Sequence, residues 1–211
     1  MNWNNHSNLE GKHAVLSPSQ SSWLRYSEDK VYDSLVSNYA QTVGTLLHEF
    51  AAYHIKYNIK LNKSSKQEAL LYLLMRGVPH YAVDMDFVFP NLMTYVNDAI
   101  GYKMSPEVLL YYSDNCFGTT DAINFRQDFL RIHDLKTGRG PVKMEQLMVY
   151  AALFCLEYKI KPSTIDIELR IYQSGSEEVL YHNPGVDEIV PIIDTIITTD
   201  KLINKIKEEE S

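Results

Sequence analysis

Only two of the 211 residues are cysteine, Cys116 and Cys155. That excludes a disulfide framework and a four-thiolate cluster, and it fits a reducing, cytoplasmic setting. Long apolar runs are missing too. No stretch reaches the roughly 18 residues a membrane helix needs, so no membrane partner is expected. The opening Met1-Asn2-Trp3-Asn4-Asn5-His6 lacks the basic-then-apolar layout of a secretory leader. Nor is there an excess of positive charge. Twenty Lys and Arg face 27 Asp and Glu, and the net charge of −7 argues mildly against non-specific nucleic-acid binding. No internal repeat or low-complexity linker divides the chain. With 45% hydrophobic and 22% charged residues, the length predicts one globular domain over 17–207, preceded by a loose polar arm over 1–16.

Against that acidic background, one segment is basic. Between Arg126 and Lys143 lie five cations (Arg126, Arg131, Lys136, Arg139, Lys143) and two acids, Asp128 and Asp134. Alternating, β-rich residues at 117–125 and 128–137 flank a polar tip, which predicts a hairpin of antiparallel strands. A tight turn centred between Gln127 and Asp128 sets Asp121 across from Asp134, with Cβ atoms about 4.5–5.5 Å apart, so two carboxylates can share one cation. The period of two places Lys136 on the face of Asp134, Leu130 and Ile132, with His133 and Leu135 opposite. Two carboxylates beside a fixed ammonium suit phosphodiester hydrolysis.

Around this hairpin the sequence predicts mainly helices on the N-terminal side. Ser17-Pro18-Ser19-Gln20 reads as a capped helix start running through Trp23 and Tyr26. Further helices are expected at 37–60, 66–75 and 91–100, the second ended by Gly77 and Pro79. In the first, His48 shares a face with Ala51, Ala52 and Ile55, so a core-facing or cleft-facing histidine competes with a ligand role. A strand at 108–112 precedes the hairpin. After it come a helix at 142–158, strands at 165–173 and 178–181, and a last helix at 190–207 with Ile193, Ile196, Ile203 and Ile206 as its buried edge. On the 142–158 helix, Gln146 and Tyr150 lie one turn apart on one face. The sum is an α/β domain: a mixed central sheet flanked by helices, with a helical N-terminal half.

Four motifs then occur in order: Gly44-Thr45-Leu46-Leu47-His48, Gly118-Thr119-Thr120-Asp121, Asp134-Leu135-Lys136-Thr137-Gly138, and Gln146-Leu147-Met148-Val149-Tyr150. Together they resemble the RecB-type branch of the PD-(D/E)XK nuclease superfamily, and His13 to Ser19 with Trp23-Leu24 is similar to the opening of phage-encoded members. The resemblance implies a restriction-endonuclease-like core and a metal-dependent DNA exonuclease acting in phage-type recombination or end processing, in a bacterial host's cytoplasm. It implies His48, Asp121, Asp134 and the Leu135 carbonyl as metal ligands, with Asp121, Asp134 and Lys136 catalytic. Oxygen ligands select Mg²⁺ or Mn²⁺, and the imidazole shifts the preference toward Mn²⁺. Gln146, Tyr150, Arg139 and Lys143 are the implied DNA contacts. Some relatives carry an iron–sulphur cluster held by four cysteines, so none is expected here. A phage single-strand annealing protein is an implied partner, and ring-forming relatives leave a homo-oligomer open.

Each piece has a plainer reading. Asp134 and Lys136 can be an exposed strand ion pair, Tyr150 a core aromatic, and Arg139 and Lys143 a solvated loop. Glu107, before the first strand, reads first as a solvated carboxylate and second as a further acid near the cleft. A catalytically silent DNA-binding or scaffold module, and a phosphoesterase acting on nucleotides in an enclosed pocket, are the rival functions.

Overall fold

A two-residue reversal fixes the central hairpin. In the computed structural model, which describes residues 16–210, β2 (Cys116–Arg126) and β3 (Phe129–Lys136) are joined by Gln127 and Asp128, both at positive φ (52° and 57°). Two positive φ values make a primed turn, whose twist matches that of the flanking strands. Arg126 therefore faces Phe129, and pairing runs down to Ala122 opposite His133. One further step brings Asp121 level with Asp134, as the alternation predicts.

The sheet has the order β1-β2-β3-β4-β5. β1 (Ser105–Ser113) runs antiparallel to β2, β4 (Asp166–Gln173) parallel to β3, and β5 (Leu180–His182) antiparallel to β4. A parallel neighbour demands a crossover, supplied by helix α5 (Glu145–Tyr158). On one face lie α2 (Ala40–Lys56), α3 (Ser65–Met75) and α4 (Met85–Gly101), packed through Leu47, Leu73, Leu92 and Tyr95 onto Ala122, Leu135 and Tyr172. On the other, α5 and α6 (Val186–Glu209) cover Ile123, Leu130, Ile132, Leu169 and Ile171. Full burial of such a side chain contributes about 1.5–3 kcal/mol, so these two apolar layers hold the sheet rigid between them. The expected mixed sheet flanked by helices is observed.

Several boundaries differ. The helix expected at 37–60 is α2, shorter at both ends, a separate helix α1 (Glu28–Ser37) precedes it, and the Ser17 segment is a 3₁₀ helix over Pro18–Arg25. α4 begins at Met85, not 91, and α6 at Val186, not 190. Both contain a proline, Pro90 and Pro191, that reads as a breaker in sequence. Side-chain caps override it. Asp84 accepts from the Asp86 and Phe87 amides, and Glu188 from the Gly185 amide. Of the expected edge of α6, Ile193 and Ile196 pack half-buried against the core. Ile189 is the fully buried residue of that helix, and Ile206 is exposed. Residues 1–15, nearly all of the predicted arm and the His13 end of the phage-like opening, lie outside the described residues.

Candidate functional site

β2 changes phase in mid-strand, and this opens the site. Gly118 lies beneath Tyr150 of α5, where an added Cβ would stand 3.0 Å from the ring. Ala122, four residues on, packs instead into the α2–α4 core. Residues four apart in an unbroken strand share a face, so the alternation slips once between them. The slip falls at Asp121. Here the β1–β2 ladder passes from Pro106–Ala122 to Val108–Thr120 with no Glu107–Asp121 pair, and Glu107 has a φ of 51°. The β2–β3 ladder stops at the same level. The sheet is forked there.

Asp121 bridges the fork. Its Oδ2 accepts the Leu135 amide at 2.8 Å, and its Oδ1 lies 3.2 Å from His48 Nδ1. His48 arrives on α2, which approaches closely because Gly44 has no side chain. A Cβ there would meet Thr137 Oγ1 at 3.3 Å. His48, Glu107 and Asp121 each offer a ligand atom, all within 4.8 Å of one another. Of the expected ligands His48, Asp121, Asp134 and Leu135, this group contains His48 and Asp121, adds Glu107, and has Asp134 beside it. Backbone groups of successive strand residues turn to opposite edges. Because the Lys136 carbonyl accepts from Ser174 on the β4 side, that of Leu135 faces the fork.

Asp134 is 3% exposed. Lys136 Nζ lies 3.0 Å from each of its oxygens, but the hydrogen-bond geometry is satisfied only at Oδ1, leaving Oδ2 a buried acceptor with no donor. Burial and the charge of Asp121 push its carboxyl well above the usual range, against the opposing pull of Lys136 and His48. Burial lowers the His48 pKa, but the hydrogen bond and charge of Asp121, with the charges of Asp134 and Glu107, outweigh it and leave it raised. Glu107, although exposed, is raised by partial desolvation on its inner side and by the charge of Asp121. Asp134 and Glu107 are thus both held toward their neutral forms beside Asp121, and a divalent cation would relieve that.

The other predicted residues divide. Gln146 Oε1 accepts from Lys136 Nζ at 3.0 Å, so Gln146 fixes the ammonium. Lys143 lines an open depression of about 460 Å³ with Lys136, Gly138 and Gln146. A second, of about 630 Å³, lies on the other side, lined by Thr45, His48, Glu49, Glu107 and Asp121. Arg139 is 73% exposed, and its guanidinium stacks on Phe87 at 3.9 Å and reaches Asp84 at 3.8 Å, which ties the loop to the start of α4.

A family model described as a protein of unknown function, DUF2800, matches residues 13–201. The chain belongs to this family. No curated protein and no solved structure matches it. The DUF2800 match takes in every residue of the fork, from His48 on α2 to Tyr150 on α5. Its description carries no activity. Glu107 is the member that sequence reasoning ranks low. Its left-handed backbone is unusual for glutamate, and no local pattern announces it.

Proposed function

We propose that this chain is a divalent-metal-dependent deoxyribonuclease with a restriction-endonuclease-like core of the PD-(D/E)XK type, hydrolysing phosphodiester bonds at DNA ends. One observation carries the reading: His48, Glu107 and Asp121 converge from three elements beside the buried Asp134 and its half-buried partner Lys136. The donor set fits a hard cation. It offers carboxylate oxygens and one imidazole, and the Asp134 Oδ2 acceptor lacks a donor although it is buried. Mg²⁺ or Mn²⁺ held by His48, Glu107, Asp121 and Asp134 would supply positive charge against the scissile phosphate.

The chain's own residues do the rest. Lys136 Nζ, fixed between Asp134 and Gln146, directs its remaining proton toward the depression and stabilises charge building on a phosphoryl oxygen. The ring of Tyr150 over Gly118 offers a surface beside the fork, and Lys143 a cation for the next phosphate. Both depressions are open rather than enclosed, which favours a polymer over a free nucleotide as substrate.

The test is incubation of 5′- and 3′-labelled linear DNA and of circular DNA with Mn²⁺, comparing wild type with Asp134→Ala and Lys136→Ala. Loss of linear DNA only, abolished by both changes, supports an exonuclease. DNA bound and left intact supports the silent binding module instead. Cleavage that survives both substitutions refutes the assignment.

A further inference from the structure

A further concavity lies away from the fork. It is a depression of about 740 Å³ at the closed end of the β2–β3 hairpin, under the C-terminus of α4. About 17 Å of strand separates Asp121 from Arg126, which lines it, so one small ligand cannot touch both places. Lys103, Arg126 and Arg131 border it with Asn124, Tyr102 and Phe129, and among the described residues no carboxylate does. In a chain of net charge −7, three cations around one concavity oppose the general balance.

The cations differ in how they are held. Arg131 is fixed. Its guanidinium stacks on Phe129 at 4.2 Å and on Tyr102 at 4.7 Å, while Nε donates to the buried Glu168 at 3.0 Å. Stacking and the Nε bond orient the plane and leave the terminal nitrogens as a fork suited to phosphate oxygens. Glu168 offsets part of this charge from behind, but its Oε1 is shared with Arg170. Lys103 and Arg126 are exposed, and among the described residues no carboxylate pairs with either. Asn124 donates to the Lys103 carbonyl, which fixes the short turn carrying that ammonium.

We propose that this depression is an anion site for a chain of phosphates, with Arg131 as its oriented anchor and Lys103 and Arg126 as its flanking charges. A lone carboxylate brings one negative charge, too few for the surplus here. Consecutive phosphodiesters or a di- or triphosphate bring two or more. Two sources share that chemistry: the nucleic-acid strand and a free nucleoside polyphosphate. The proposal does not depend on hydrolysis at the fork.

The test uses the full chain in EDTA, so that no cleavage enters the reading. Inorganic tripolyphosphate is titrated by calorimetry and a labelled single-stranded oligonucleotide by anisotropy, against wild type and the Lys103→Gln/Arg126→Gln double variant. Thermal melting verifies that the variant is folded. Removing a charge-assisted interaction at each of the two positions should weaken binding by at least about tenfold, and the salt dependence of oligonucleotide binding should become shallower. Oligonucleotide bound without tripolyphosphate assigns the site to a strand. Saturable tripolyphosphate binding at one site per chain, lost in the variant, assigns it to the free polyphosphate. Failure of both probes to bind, equal affinity in wild type and variant, or a variant-sensitive preference for polyglutamate over both phosphate probes overturns the proposal.

Discussion

His133 makes stability depend on pH in a way that can be measured without any substrate. The ring is fully buried beside Tyr172, with its Nδ1 3.3 Å from the tyrosine oxygen. The single proton of that hydroxyl goes to Asp98 at 2.8 Å, so Nδ1 carries the imidazole hydrogen and Nε2 is a bare acceptor. Burial first, then the charges of Arg170 and Arg131, push its pKa down to about 3 from 6.5. The unfolded chain takes up a proton as pH falls through 6.5, and the folded chain does not until about 3. Stability is therefore intact above 6.5 and declines below it. At pH 5 the gap amounts to about 1.5 pH units, or about 2 kcal/mol. This figure barely changes for any folded value well below 5. Urea unfolding in EDTA at pH 7 and pH 5 should show wild type losing about 2 kcal/mol more than His133→Gln, which is neutral at both. Carboxylate titrations are common to the two proteins and cancel. Equal losses would refute the buried neutral imidazole.

Other perturbations follow the same logic. Asp134→Asn should raise stability in EDTA at neutral pH by about 1–2 kcal/mol, because a buried carboxylate held above its ordinary pKa costs stability as pH rises and it ionises. The advantage should shrink on acidification, and a less stable variant in urea melts would contradict the crowding of charge at the fork. Mn²⁺ should raise the wild-type melting temperature, by the equivalent of about 2.7 kcal/mol at a hundredfold excess over Kd, and leave Asp121→Asn and His48→Ala nearly unmoved. Metal-induced stabilisation that is intact in both variants would place the ion elsewhere. Gly175→Ala should cost about 1–3 kcal/mol in denaturant titrations, since φ there is 77° and a Cβ would stand 2.1 Å from Phe87. A neutral outcome would mean that Phe87 swings aside, and its stack with Arg139 should then be lost as well.

Much of the fold is legible in the residues alone, for identifiable reasons. The hairpin register follows from period-two alternation and a polar tip, both local, so the Arg126–Phe129 pairing and the level of Asp121 with Asp134 come straight from the residues. The starts of α4 and α6 do not. A proline inside each masks the caps made by Asp84 and Glu188, and a cap reads clearly only once the helix is known. The contacts of Arg139 are not legible locally, because its partners, Asp84 and Phe87, lie some fifty residues earlier in the chain. The part of Glu107 is the hardest to see, because it depends on a slip in alternation that no residue type signals.

That slip bears on why the fork can gather acids at all. A regular ladder through Glu107, Asp121 and Asp134 would keep the three side chains on one face but spend their backbone groups on pairing, closing the gap in which the Asp121 carboxylate takes the Leu135 amide. Here three departures from regularity coincide: a left-handed Glu107, a ladder ending at Ala122–His133, and a buried Asp134 oxygen with no donor. Each costs stability, on the order of 1–3 kcal/mol for such a backbone or an unmade buried bond. The fold tolerates them because Leu135, Ala122 and Tyr172 on one face and Ile132 and Ile171 on the other are fully buried around the fork. If the strain serves the convergence of ligands, restoring regularity should remove it. Glu107→Gly relaxes the backbone at positive φ while deleting a ligand, so it should stabilise the metal-free protein by a few tenths to about 1 kcal/mol and weaken its response to Mn²⁺. Calorimetric melts with and without the ion separate the two effects. A variant that is less stable without metal, or equally responsive with it, would show that the left-handed Glu107 is not held for the cation.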